Sequence, residues 1–370
     1  MEITLYAHSF QGPKEKDSAI ISLVNSSTAD TAIAPSKARM TDVAREAGVS
    51  QATVSRAINE PAKLTPETLA AVRSAIERLG YVPNLTAGSL ASSRSRIVAA
   101  IVPTISSLVF SETLEALAQT ISEGGYQLLL GQTSYRGHDE AGLVDTFLGR
   151  RVDGLVLTGN AQTSTLRAKI KRSGVPVVQT WDLPGAVGTT GTAPIDMQVG
   201  FSNVDAGRAA ADHLIDRGHH SLAFIGAQEE RSQLRLAGFR AAAAERGVYD
   251  VQAELIRAPA LIDDAAPRLA EILKRRPDVT AVFCHNDLLA AGILFECQQR
   301  GWDVPGRMAV MGFGDLPISR AASPRLSTVQ IRRAEIGTRA GQMLLARLAG
   351  EEPGASVVDI GFQVIARAST

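Results

Sequence analysis

Apolar side chains recur at intervals of three to four residues in three short segments between Met40 and Tyr81. Because this is the period of an amphipathic helix, the segments predict three short helices that share one small core. Thr41 precedes the first helix, Asp42–Ala47, as a residue that can cap its amino end. Gly48 then provides a tight turn, since glycine adopts backbone angles that other residues avoid.

The second predicted helix, Gln51–Asn59, follows this turn, and Ser50 is its expected cap. Val54 and Ile58 lie on its inner face. The residues expected to face solvent are Gln51, Ala52, Ser55 and Arg56. A third helix is predicted to open at Thr65. Two helices joined by a tight turn, with the second one exposed, are typical of a helix-turn-helix module that reads DNA.

From Ile97 onwards, apolar runs alternate with amphipathic helical stretches, which predicts parallel sheets covered by helices on both faces. A break in this rhythm over Asp182–Val204 indicates where one α/β lobe gives way to another. The predicted strands are Ile97–Val102, Gln127–Leu130, Gly154–Leu157, Pro176–Gln179, Leu222–Ile225, Ala281–Cys284 and Met308–Met311. The predicted helices include Glu112–Glu123, Leu166–Ser173, Ala206–Arg217 and Ala290–Arg300.

Charge is distributed unevenly along the 370 residues, although the formal net charge is zero. Residues 37–96 carry nine Lys or Arg against five Asp or Glu, a local excess of four positive charges that suits phosphate contacts. The two cysteines, Cys284 and Cys297, match no zinc pattern and are expected in the core of a cytoplasmic protein. No apolar run approaches the roughly 20 residues needed to span a membrane.

The run Thr41–Asn59, closed by Gly80-Tyr-Val-Pro-Asn84, resembles the lactose/galactose-repressor (LacI/GalR) family. The resemblance extends through nearly all of residues 40–367. Further landmarks are Ala87–Ala91, Leu234–Phe239, His285–Ala290, Met311–Asp315 and Pro324–Val329. Within the family, Val282–Asp287 and Phe295–Gln299 are most similar to the gluconate-operon repressor branch.

This resemblance implies a small all-α helix-turn-helix domain followed by an α/β core like that of periplasmic binding proteins, with two parallel-sheet lobes. We expect a disordered tail (1–38), the helix-turn-helix domain (39–84), a hinge helix or linker (85–96) and an effector-binding and dimerisation core (97–370). The first lobe is expected to comprise about 97–202 and 331–360, and the second about 203–330 and 361–370.

The family resemblance also implies a homodimer that binds double-stranded operator DNA, with Gln51, Ala52 and Arg56 nearest the bases. Of these three, Arg56 is best suited to recognise a base, because a guanidinium can donate two hydrogen bonds to guanine. The alternative for Arg56 is a phosphate contact or a solvated charge. The other expected DNA-binding residues are Thr41, Ser50, Thr53, Asn59 and Asn84, with Leu90. In the family the segment matching Leu90 folds on the operator and wedges a leucine into the minor groove.

The resemblance places an effector between the lobes, at the carboxyl ends of the strands. The matching residues are Trp181, Phe201, Arg231, Arg235, Asn286 and Asp315. Two arginines suit a carboxylate, and the amide and acid suit sugar hydroxyls, so a sugar acid such as gluconate is expected. Gly314 stands where many family members carry a pocket acid, and Trp181 where several carry an aspartate.

Two other classes remain as alternatives, an enzyme and a transport-type sugar-binding protein on the same α/β core. None of the phosphate-binding, nucleophile-elbow or zinc-protease motifs occurs, so we expect no enzyme, cofactor or metal. His213, His219 and His220 cluster at a helix end and are expected to cap it rather than bind a metal. In the family an effector either releases the regulator from DNA or promotes its binding, and the resemblance to the gluconate branch implies a repressor of carbohydrate genes that its effector releases.

Overall fold

The computed structural model describes residues 38–82, 94–135, 137–183 and 193–370. The chain divides into two compact units, residues 1–84 and 85–370. The expected tail, together with Asn84 and Leu90, lies outside the described residues apart from Ala38.

The first unit consists of α1 (Met40–Glu46), α2 (Gln51–Asn59), a 3₁₀ turn (Pro61–Lys63) and α3 (Pro66–Leu79). These helices enclose one small apolar core that includes Val43, Val54, Ala57, Val72 and Ala75. All three predicted helices are present.

One detail of the first helix was predicted wrongly. The helix begins at Met40, so Thr41 lies in its first turn and is not its cap. The Asp42 carboxylate instead accepts a hydrogen bond from the backbone N–H of Arg39 at 2.9 Å. An acidic side chain satisfies an otherwise free N–H at this end and interacts favourably with the helix dipole.

The second unit contains two six-stranded sheets. The first sheet has the order β11-β5-β4-β3-β1-β2 and is parallel throughout. Its strands are β1 (Ile97–Val102), β2 (Gln127–Gln132), β3 (Gly154–Thr158), β4 (Val177–Thr180), β5 (Met197–Gly200) and β11 (Val357–Asp359).

The second sheet has the order β12-β10-β9-β8-β6-β7, and only β12 runs antiparallel to its neighbour. Its strands are β6 (Leu222–Ala227), β7 (Gln252–Ile256), β8 (Ala281–Cys284), β9 (Ala309–Gly314), β10 (Ser327–Gln330) and β12 (Gln363–Ile365). The chain passes between the two sheets three times, after β5, β10 and β11. Strand ends of both sheets therefore lie next to the three segments that cross from one sheet to the other.

Nine helices accompany the sheets within the described part of the second unit, together with a 3₁₀ turn at Ile262–Asp264. They are α4 (Leu108–Glu123), α5 (Gly137–Gly149), α6 (Ser164–Ser173), α7 (Asn203–Asp216), α8 (Glu230–Glu245), α9 (Ala265–Arg275), α10 (Asp287–Gln299), α11 (Pro317–Ala321) and α12 (Arg333–Ala349). Within the described residues, no helix has the length and apolar character needed to cross a membrane.

Glycines allow two pairs of these helices to pack backbone to backbone. A Cβ on Gly238 of α8 would lie 1.9 Å from the carbonyl oxygen of Val204 in α7. A Cβ on Gly337 of α12 would lie 2.1 Å from the carbonyl oxygen of Thr113 in α4. Both distances are far inside van der Waals contact, so only glycine fits at either crossing.

Candidate functional site

Helix α2 presents a polar outer face to solvent in the first unit. Gln51, Ala52 and Arg56 are exposed, whereas Val54 and Ala57 are buried. Ile58 is only partly buried against the core. The three side chains predicted to read bases therefore lie on one accessible face, as a recognition helix requires.

The polar residues at the two ends of α2 have local partners. The Ser50 hydroxyl accepts from the backbone N–H of Thr53 at 3.1 Å, which makes Ser50 the cap. The Asn59 amide donates to the carbonyl of Ser55 at 2.9 Å. Thr41 is exposed in the first turn of α1. Phosphate contacts by these residues stay a prediction, as do those of Asn84 and Leu90.

In the second unit, Arg231 and Arg235 lie one turn apart in the first half of α8, directly after β6. Both are buried, and Glu229 lies between their guanidinium groups, 3.0 Å from Arg231 and 3.7 Å from Arg235. Burial alone would raise the pKa of Glu229, but the two arginines outweigh it and hold that pKa below its usual range. Burial lowers the pKa of Arg235 to about 10, so the group remains a cation at neutral pH.

Aromatic rings form a wall beside these arginines. Trp181 packs edge-on against Phe110 at 5.1 Å between centroids, and Phe201 contacts both Trp181 and Phe313. The Arg235 guanidinium lies 4.1 Å from the centroid of Phe313, and that of Arg231 lies 5.6 Å from Phe110. Stacking of this kind stabilises a buried cation and fixes its orientation.

A hydrogen-bonded chain extends from Arg235 into the first lobe. Arg235 donates to the amide oxygen of Asn203, and the Asn203 amide donates to the Asp182 carboxylate at 2.8 Å. Asn160 donates weakly to the same carboxylate at 3.4 Å. Burial raises the pKa of Asp182. Asn203 and Asn160 were not predicted from the sequence, because their partners are distant in the chain.

Asn286 lies at the carboxyl end of β8, where it caps α10. Its side-chain oxygen accepts from the backbone N–H of Leu289 at 2.8 Å, and its amide lies 2.9 Å from the His285 ring. Burial, together with nearby Arg235, lowers the pKa of His285 to about 3, so the ring is neutral. Asn286 is partly buried, and its contact with an effector stays a prediction.

Asp315 has a set of partners that its predicted effector role did not anticipate. Its carboxylate accepts from Arg367 at 2.7 Å, Ser319 at 2.8 Å, Gln330 at 2.8 Å and Arg320 at 3.1 Å. Both oxygens are thus engaged by protein side chains. Its contact with an effector stays a prediction.

A third buried arginine, Arg333, was missed in the sequence. It lies at the start of α12, where it donates to the carbonyl of Gly314 and pairs with Glu112 of α4 at 2.6 Å. These residues line a cavity of about 450 Å³, a size typical of small-molecule sites. The only sequence signal was the Arg332-Arg333 pair next to a strand end.

His213, His219 and the two cysteines lie outside this region. His213 lies 2.8 Å from the Thr370 hydroxyl, and His219 lies 3.1 Å from that of Thr280. Cys284 and Cys297 are both fully buried in the apolar core beside β8. Burial raises the pKa of both thiols, to about 11 for Cys297, which keeps them protonated.

Comparison with known proteins identifies the family to which this chain belongs. Residues 39–84 match the model of bacterial regulatory proteins of the lacI family, and residues 211–370 match a periplasmic binding protein-like domain. The HTH-type transcriptional regulator GntR of Pseudomonas aeruginosa is 41% identical over 333 residues, which cover 90% of this chain and 95% of that protein. The chain belongs to the lacI family of bacterial regulatory proteins.

Solved structures of lacI-family and related regulators share the architecture. A LacI family transcriptional regulator from Silicibacter pomeroyi superposes with a TM-score of 0.82 at 28% identity, covering 90% of this chain and 99% of that one. The transcription regulator GntR from Chromobacterium violaceum has a TM-score of 0.69 at 36% identity, with 74% and 98% covered. The predicted family and fold class are confirmed.

As a lacI-family member, the chain is a DNA-binding transcriptional regulator. The relatives it matches are transcriptional regulators and not enzymes. Its helix-turn-helix unit corresponds to the first of these models, and residues 211–370 of its two-sheet unit correspond to the second.

Proposed function

We propose that this lacI-family protein represses genes of carbohydrate metabolism and is released from its operator by a sugar acid such as gluconate. The observation that carries the proposal is a buried arginine with an unsatisfied donor in the wall of the cavity. The side chain of Arg333 is only 5% exposed. Its buried Nε–H lacks an acceptor among the described residues. A buried donor without a partner is rare in folded proteins, and a bound anion would satisfy it.

The remaining groups of the cleft suit a polyol chain. Asn160 and Asn286 offer amides, and Asp182 offers a carboxylate, which together can donate to and accept from hydroxyl groups. The rings of Phe110 and Trp181 provide an apolar wall, as is common in small-molecule sites. Similarity to regulators of the GntR type agrees with the sequence resemblance to the gluconate branch.

We propose that the protein acts as a homodimer, so that two copies of α2 enter successive major grooves of the operator. Large apolar side chains are exposed where the first sheet ends and α4 begins. Ile105 is 62% exposed, Leu108 53% and Leu130, on edge strand β2, 45%. Exposed large apolar residues of this kind are common at protein interfaces.

The effector class is tested by calorimetry of the full chain against D-gluconate, 2-ketogluconate, D-glucose and a purine. We expect the two sugar acids to bind with dissociation constants in the micromolar range, on the order of −8 kcal/mol. The neutral hexose and the purine should bind at least about tenfold more weakly. Binding of glucose or the purine alone would contradict the sugar-acid assignment.

Replacing Arg56 with alanine tests how α2 reads DNA. If its guanidinium bonds a guanine edge, operator binding should weaken by about 1–3 kcal/mol and specificity should relax at one base pair. The measurement is fluorescence anisotropy with operator and scrambled duplexes at one salt concentration. Arg45→Ala, an exposed arginine on α1 that pairs with Asp42, is the matched control. Equal losses on both duplexes would reduce Arg56 to a phosphate contact.

A further inference from the structure

Building on the proposed sugar-acid function, we infer that Arg333 is the specificity-determining residue that holds the effector's carboxylate, and that this carboxylate displaces Glu112 from Arg333. The family resemblance implies Arg231 and Arg235 for this role. The three arginines differ, however, in their contacts.

Arg333 is held rigidly with one edge towards the cavity. Its backbone carbonyl accepts from the Thr113 hydroxyl at 2.9 Å, which ties the start of α12 to α4. One terminal nitrogen donates to the carbonyl of Gly314, and the other pairs with Glu112. Its buried Nε–H has no acceptor among the described residues. A guanidinium fixed in this way is prepared for an incoming carboxylate.

Glu112 is a replaceable partner. Its side chain is 47% exposed, whereas that of Arg333 is 5% exposed. Its carboxylate can therefore rotate into water at small cost, while the arginine cannot follow. A ligand carboxylate that takes its place exchanges one charged pair for another, so the buried arginine has a counter-ion both before and after the exchange.

Arg231 and Arg235 are less suited to a second anion. Glu229 already pairs with both of them, and its own side chain is only 12% exposed, so water does not compete for it. Asp182 lies beyond Asn203 on the same chain of hydrogen bonds. A ligand carboxylate at this end would meet two buried acids. Hydroxyl groups, which accept from arginines and donate to carboxylates, fit this end better.

Arg333 contacts the same two segments of the chain as the pair Arg231 and Arg235. In the first turns of α4, Phe110 contacts Arg231 and Glu112 contacts Arg333. At the end of β9, Phe313 contacts Arg235 and the adjacent Gly314 contacts Arg333. A Cβ at position 314 would lie 3.7 Å from a carboxylate oxygen of Asp287, 3.7 Å from Leu316 and 3.9 Å from a terminal nitrogen of Arg333.

The test compares D-gluconate with D-glucitol, which has the same carbon chain but no carboxylate, by calorimetry on the full chain. For Arg333→Gln we expect gluconate affinity to fall at least 30-fold, about 2 kcal/mol, while glucitol affinity changes less than threefold. For Glu112→Gln we expect gluconate to bind three- to tenfold more tightly, because its competitor is gone. Arg339→Gln, an exposed arginine on the same helix, should behave like the wild type.

The outcomes separate this inference from the proposed function. If the wild type binds gluconate and Arg333→Gln retains the preference over glucitol, the assignment of Arg333 is wrong and the proposed function stands. Weaker gluconate binding by Glu112→Gln would also contradict the exchange of Glu112 for the ligand's carboxylate. This variant does not replace a buried group. If the wild type binds neither gluconate nor 2-ketogluconate, the proposed function fails and the assignment fails with it.

Discussion

Replacing Gly238 with alanine is expected to lower the free energy of unfolding of the two-sheet unit by about 3 kcal/mol or more. The new Cβ would lie 1.9 Å from the carbonyl oxygen of Val204 and 2.8 Å from its carbonyl carbon. Because these are backbone atoms of α7, no side-chain rotation relieves the overlap. The two helices must separate, and the apolar contacts between them are lost.

Gly142→Ala is the matched control, since Gly142 also lies inside a helix, α5, but has open space around it. Alanine is favoured over glycine in a helix by about 1 kcal/mol, so this variant should be more stable than the wild type. Urea unfolding followed by fluorescence of Trp181 and Trp302 measures both changes. Equal effects of the two substitutions would contradict the close backbone contact.

Replacing Asp315 with alanine is expected to cost about 3–5 kcal/mol of stability. Asp315 is 4% exposed and its carboxylate neutralises Arg367, whose side chain is only 15% exposed. Removal leaves a buried cation without its counter-ion and leaves Gln330 and Ser319 without an acceptor. Asp145→Ala, which breaks an exposed pair with Lys169, should cost less than about 1 kcal/mol.

The same residue predicts a dependence of stability on pH. Burial alone would raise the pKa of Asp315, but hydrogen bonds from Arg367, Ser319 and Gln330 outweigh it and lower that pKa below its usual value. Its contribution is therefore complete above the unfolded pKa of about 3.9 and is lost as pH falls through the lower folded value. Urea unfolding of wild type and Asp315→Ala between pH 7 and pH 3 should show the two curves converging at the acid end. A constant difference between them would contradict this role.

The strands with continuous apolar runs could be predicted from the sequence, and β1 and β8 have the predicted bounds. Strand β10 could not, because Ser327 and Thr328 are polar although fully buried. Their hydroxyls are satisfied by partners far along the chain, Thr370 for Ser327 and Asp287 for Thr328. A buried polar strand has no hydrophobic signature until those partners are known.

Other strands were missed for different reasons. β5 falls inside the segment that had been interpreted as a break between lobes, because glycine, threonine and proline surround its four residues. β7 is half-buried along its whole length, and β11 and β12 have only three residues each. Short or edge strands carry too few alternating positions for a period to stand out.

The candidate effector site was predictable only in part. Among the residues expected there are Trp181, Phe201, Arg231 and Arg235, and the structure brings these four together around one aromatic wall. Arg333 and Glu112 are separated by 221 residues, so no local pattern could join them. The partners of Asp315 likewise come from α11, β10 and the carboxyl-terminal segment. Contacts between residues so far apart in the sequence form only when the chain has folded into both sheets.

Control of operator binding by a sugar acid can be measured by fluorescence anisotropy of the full chain with a duplex selected from random sequences, with and without D-gluconate. We expect selective binding to this duplex over scrambled DNA, strong weakening by salt, and at least a tenfold loss of operator affinity with gluconate but not with D-glucitol. Operator affinity that gluconate leaves unchanged or increases would contradict the account.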